Sequence, residues 1–214
     1  MELHGVIDPQ PGNLGFALFD SNGKLLTRAD RPMHGRDAAE LPEFIAGVLA
    51  QLDLELDAVS RWTIGSGPGS FTFLRLVAAL AAGWKFADDS VKFRCVPGAL
   101  ALGSSLKNGE NAGILYDGRN KEILFFGITH DGTALTPTGE TAVLNNSQCA
   151  EFFAAHKPDK LFCFAAEQPA VEAVLPEDIH VEAAEPDLSA LAENRSIPFD
   201  NDLNSLVYIR PAVF

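Results

Sequence analysis

At 214 residues the chain has enough material for one large or two small domains with a full core. Hydrophobic residues make up 47% and charged residues 21%, a balance that excludes a disordered chain. With 16 Lys+Arg against 29 Asp+Glu the formal charge is −13, which excludes a broad basic face, so any link to nucleic acid is expected to run through a partner.

Leu3 to Asp8 reads as a strand ending at the turn Pro9-Gln10-Pro11-Gly12, and Asn13 to Asp20 as a second strand. Asp20-Ser21-Asn22-Gly23 is a hairpin signal, with Lys24 to Ala29 as the returning strand, so the N-terminus predicts an antiparallel meander. Asp37 to Leu54 predicts a helix, because Leu41, Phe44, Ile45, Val48, Leu49 and Leu52 recur at the helical period. Val59 to Ile64 is the next strand. It is followed by the glycine-rich turn Gly65-Ser66-Gly67-Pro68-Gly69 and a helix from about Ser70 to Ala87, rich in small residues from Val77 to Ala82. Val91 to Val96 predicts a strand and Pro97 to Leu106 a helix.

The polar stretch Lys107 to Asn111 is expected to divide residues 1–106 from 107–214. Beyond it, Ala112 to Tyr116 and Glu122 to Thr129 predict strands and Ser147 to His156 a helix capped by Ser147. Leu161 to Ala165 predicts a buried strand. Phe199 to Asn204 reads as a polar turn before the C-terminal tail. No internal repeat shows at the residue level.

The glycine turn invites three catalytic templates and fails each. A P-loop needs Lys-Ser or Lys-Thr after its last glycine, where this chain has Ser70-Phe71. A dinucleotide fingerprint needs G-x-G-x-x-G, and the run here is G-x-G-x-G. A nucleophile elbow needs G-x-S-x-G, which neither Ser66 nor Ser70 satisfies.

Asp8, at the end of the first strand, is the candidate for a weak nucleotide site. Its following turn holds two prolines and no hydroxyl, so it lacks phosphate donors. Cys95, Cys149 and Cys163 are scattered and read as buried free thiols, and no Cys/His spacing suits a metal. The histidines are scattered too, so neither catalytic residues nor a cofactor are expected. No apolar run reaches the roughly 18 residues of a membrane span, and Met1 to His4 does not open a signal peptide, so a cytoplasmic protein is expected.

Gly67-Pro68-Gly69-Ser70-Phe71-Thr72, then Phe73 and Leu74-Arg75, resembles the signature of the bacterial TsaB family, also called YeaZ. Three weaker matches keep the family's order. His34 with Leu41-Pro42 resembles its HSE…LLP segment, Asp117-Gly118-Arg119 with Glu122 its DAR…E, and Tyr208-Ile209-Arg210-Pro211 its YLR. The chain departs from the pattern at Pro9-Gln10, where members carry Thr-Ser, at Phe73, where they carry glycine, and at Gly35-Arg36.

The resemblance implies an α/β fold of the two-domain actin-like and sugar-kinase class, with mixed sheets flanked by helices and no metal site. It implies a non-catalytic subunit that supports TsaD, with the ATPase TsaE, in placing threonylcarbamoyl on adenosine 37 of tRNA. It also implies homodimers and TsaB–TsaD heterodimers made through the two N-terminal-domain helices. The residues it assigns to that interface are Gly67 through Arg75, with Leu76, Ala79, Leu80 and Gly83 on the second helix and His34, Leu41 and Phe44 on or before the first. Two alternatives stand beside it: an active ATPase, small-molecule kinase or glycoprotease-like hydrolase, and a homodimeric paralogue that no longer binds TsaD.

Overall fold

The computed structural model describes residues 2–33, 37–69, 71–200, 202, 203, 205–207 and 209. The chain divides into two compact units, one formed by residues up to Gly98 with Leu191–Val207, the other by Ala99–Ala190. The division therefore falls before the polar turn at Lys107, and a late segment returns to the first unit. That return rests on long-range bonds that no local pattern announces.

In the first unit β1 (Leu3–Gln10), β2 (Asn13–Phe19) and β3 (Leu25–Pro32) form the expected meander. Helix α1 (Leu41–Ala50), preceded by a 3-10 turn over Asp37–Glu40, leads to β4 (Val59–Gly65), then α2 (Phe71–Ala87), then β5 (Lys92–Val96). The sheet order is β3-β2-β1-β4-β5, with β4 and β5 parallel to β1. Strand β1 runs on through Pro9 to Gln10 rather than ending at Asp8. Proline is tolerated there because pairing with β4 stops at Ile7, leaving β1 an edge on that side.

The two faces of this sheet differ in chemistry. One carries Leu3, Ile7, Leu14, Phe16, Leu18, Trp62, Ile64 and Phe93 and packs with α1 and α2 into a single apolar core. Gly5 is required on that face, because a Cβ there would stand 2.5 Å from the Trp62 ring, which also packs on Trp84 at 4.6 Å. By strand alternation the opposite face presents His4, Asp8, Thr63 and Arg94.

The second unit repeats the order. Strands β6 (Asn111–Arg119), β7 (Glu122–His130) and β8 (Leu135–Asn145) make a meander, followed by α3 (Asn146–His156), β9 (Lys160–Phe164), the short α4 (Gln168–Glu172) and β10 (Glu182–Ala184). Its sheet order, β10-β9-β6-β7-β8, is the order of the first sheet in the corresponding strands. Helix α3 starts one residue before Ser147: Asn145 is its cap, and its N–H donates to Gln148 Oε1 at 3.0 Å. The predicted helix after Pro97 is only a 3-10 turn over Gly98–Gly103, and the returning segment begins within α5 (Leu188–Ala192). The three cysteines are free and buried.

Candidate functional site

Two surfaces of the first unit carry the residues singled out in the sequence. The first is the loop and helix that follow β4. Ser66 N–H donates to Val96 O and Gly98 N–H to Gly67 O, both at 2.8 Å, which fixes the glycine turn against the C-terminal end of the sheet. Gly67 has φ +95°, a value costly for a side chain, and a Cβ there would also meet Leu74 at 2.9 Å. Pro68 and Gly69 complete the turn. Ser70 and His34 lie outside the described residues, and α2 begins at Phe71.

Helix α2 sorts its residues into two faces. Phe73 (5% exposed), Leu74, Val77 and Ala81 are buried, and Leu80 is half-buried against the same core. The large side chain that departs from the family pattern thus fills the interior of the fold. The side chains of Phe73 and Leu74 thus face the interior, while Leu80 lies at the edge of the core. Leu41 on α1 is buried as well, and Phe44 is half-buried beneath the Arg31 guanidinium, 5.6 Å from its ring centre.

The opposite face of α2 carries Thr72, Leu76, Ala79, Gly83 and Phe86, all exposed. They follow one another at intervals of four, three, four and three residues, the spacing of a seam that meets a partner helix. Leu76 is 37% and Phe86 95% exposed, and a Cβ at Gly83 would meet nothing within 4 Å. Nothing in its own environment calls for a glycine there, yet glycine weakens a helix by about 1 kcal/mol relative to alanine. Phe86 belongs to this stripe and lies outside the residues that the resemblance assigns. The four-three spacing from Thr72 is the signal that finds it. Arg75 lies one residue before Leu76 and is also exposed.

The second surface surrounds Asp8, on the face of the sheet away from α2. Asp8 is 1% exposed, and its Oδ2 accepts a hydrogen bond from Gln10 Nε2 at 3.1 Å. Gln10 Oε1 in turn accepts from Asn13 Nδ2 at 3.3 Å. Gly65 and Gly98 wall the carboxyl, since a Cβ at either would fall 2.0 or 2.5 Å from Asp8 Oδ1. Burial pushes the carboxyl up to about 6, against the opposing effects of Gln10 and Arg28. Gln10, two residues further along β1, thus closes over Asp8.

In the second unit, Asp117 stands near the end of β6, the strand that corresponds to β1. Its Oδ1 accepts from the Arg119 N–H at 2.8 Å, at the start of a turn in which Arg119, Asn120 and Lys121 all have positive φ. Glu167, after β9, was not anticipated. Burial raises its carboxyl to about 7, the Asp117 N–H and Arg119 oppose this, and the Asp117 charge adds to it. Its Oε2 is buried and has no hydrogen-bond partner among the described residues. Among the described residues there is no group of three metal-ligating side chains and no helix long and apolar enough to cross a membrane.

No protein-family model matches the chain, and no curated protein matches it in sequence. Solved structures do. A Pseudomonas aeruginosa protein described as similar to peptidase YeaZ is 20% identical with a TM-score of 0.73, covering 98% of this chain and 100% of its own. YeaZ from the same organism is 20% identical with a TM-score of 0.68, over 90% of this chain and 89% of its own. The ethanolamine utilization protein EutJ of Carboxydothermus hydrogenoformans is 9% identical with a TM-score of 0.51, over 90% and 89%. The duplicated order of meander, helix, strand, helix and strand is thus the actin-like fold in the form taken by the YeaZ structures.

Proposed function

We propose that the chain is a divergent TsaB/YeaZ protein that works as a non-catalytic subunit through the exposed face of α2. The observation that carries this reading is the stripe Thr72-Leu76-Ala79-Gly83-Phe86: apolar or small, open, and spaced to receive a helix. The partners that fit the family are TsaD, a second copy of this chain in a homodimer, and TsaE within the assembled complex. The product is threonylcarbamoyladenosine at position 37 of tRNA. The acidic charge of the chain suits a subunit that leaves tRNA to others.

Complementation tests this reading. The gene is expressed in cells depleted of their own TsaB, and the modified nucleoside is measured by mass spectrometry. Recovery of the nucleoside with the wild-type chain, and its loss with Leu76→Glu, is the expected result. Absence of rescue together with absence of any complex with the cognate TsaD overturns it. A stable homodimer without affinity for TsaD points instead to the paralogue reading. The enzyme reading rests on Asp8, whose carboxyl is enclosed by Gln10, Gly65 and Gly98. Micromolar nucleotide binding with turnover, measured by calorimetry, would favour it.

A further inference from the structure

We propose that the returning segment, residues 191–207, is a clasp locked by Arg94, and that it sets the start of α2 and so the partner-binding state of that helix. The inference rests on the reading of α2 as the partner helix and adds a means of regulating it.

Arg94 lies on β5, 4% exposed, on the polar face of the first sheet. All five of its N–H donors are used. Nε donates to Thr63 Oγ1 at 2.8 Å, Nη1 to Ile197 O at 3.0 Å and to Asn194 O, and Nη2 to Leu191 O at 2.9 Å and Ala192 O at 2.6 Å. Four of the five acceptors are main-chain carbonyls of the returning segment. The guanidinium also meets the Phe199 ring, 4.5 Å away, which Arg61 overlies at 5.6 Å and His4 meets edge-on at 5.5 Å. Among the described residues no carboxylate pairs with Arg94. With no carboxylate beside it, the guanidinium depends for its pairing chiefly on these carbonyls, with the Thr63 hydroxyl and the Phe199 ring. The four carbonyls between Leu191 and Ile197 are therefore held together by one guanidinium, and loss of one while the rest remain leaves a buried donor unpaired.

Its far end reaches the glycine turn. Val207 N–H donates to Ser66 O at 2.8 Å, and a Cβ on Gly67 would stand 3.3 Å from Val207 O. Leu203 packs against the apolar core into which Phe73 and Val77 of α2 insert. One segment is thus fixed to Arg94 at one end and to the entry of α2 at the other. Release of the first loosens the second.

Hydrogen–deuterium exchange on the full chain tests this, comparing wild type with Arg94→Met and Phe199→Ala. Either variant should raise exchange at least about tenfold in peptides covering 194–207 and 66–76, with 111–130 unchanged. Association through α2 should weaken at least about fivefold at temperatures where both proteins are fully folded. Faster exchange in 194–207 with 66–76 unaffected overturns the coupling. Unaltered exchange in 194–207 overturns the role of Arg94. Phe199→Ala keeps the test valid if Arg94→Met does not fold. A wild-type chain that associates with nothing defeats the partner reading, while the exchange comparison still decides the clasp.

Discussion

On strand β1 the half-buried His4 and the buried Asp8 work against each other. His4 is held down to about 4, first by burial and then by the charges of Arg94 and Arg61, whereas Asp8 is pushed up to about 6 by burial. His4 thus contributes stability that is present above its unfolded value of 6.5 and is lost as pH falls through about 4. Asp8 does the reverse: its contribution is full below its unfolded value of 3.8 and lost as pH rises through about 6. Each shift amounts to about 3 kcal/mol at its limit. Asp8→Asn is therefore expected to be more stable than wild type at pH 8, by about 2 kcal/mol, with little difference at pH 4. His4→Gln should flatten the acid side of the profile instead. Urea unfolding across pH 4–8 checks both, and an Asp8→Asn effect of equal size at both ends would contradict the assignment. Asp8 stands out in the sequence by its place before the Pro9-Gln10-Pro11 turn, although β1 runs two residues beyond it. The Gly65 and Gly98 walls that enclose it do not, since they come from residues far along the chain.

Helix α2 shows what sequence pattern can and cannot separate. Its existence, its start after the glycine turn and its small residues were all legible, because strand, glycine turn and helix follow in unbroken order. Which small residues face outward was not, since Val77, Ala78, Ala79, Ala81 and Ala82 give almost no contrast in hydrophobicity around the helix. Leu80, a natural choice as an interface probe, is half-buried against the core, so Leu80→Glu would damage the fold. Leu76→Glu is the cleaner test and should weaken association at least about tenfold with an unfolding midpoint close to wild type. Gly83→Ala separates the two roles further. With open space around Gly83, the added methyl should stabilise the monomer by about 0.5–1 kcal/mol. The same methyl should loosen a partner helix seated on the stripe. Denaturation paired with sedimentation would record both, and a change of like sign in the two would reject the seam. Strand β8 was missed for a related reason: most of Leu135–Asn145 is exposed, so the edge strand lacks the alternation that marks a half-buried one.

At the scale of the whole molecule, the repeated topology of the two units is invisible in the sequence, because the repetition lies in strand order and not in residues. Net charge, by contrast, is fully legible and has a consequence for assembly. Helix α2 contains Arg75 and Lys85 and no acidic residue, so the excess of acidic charge behind the net −13 lies entirely outside it. Two copies meeting through α2 bring two strongly acidic bodies together, and that repulsion reaches across the contact at low salt, where the Debye length is about 30 Å at 0.01 M. At 0.5 M salt the repulsion is confined to a few ångströms, while burial of Leu76 and Phe86 is undiminished. Self-association is therefore expected to strengthen severalfold between low and high salt, the opposite of what a contact built on ion pairs would do. Sedimentation equilibrium at the two salt concentrations decides between them. Weakening with salt would mean that the contact uses the charged surface of the protein and not the α2 stripe.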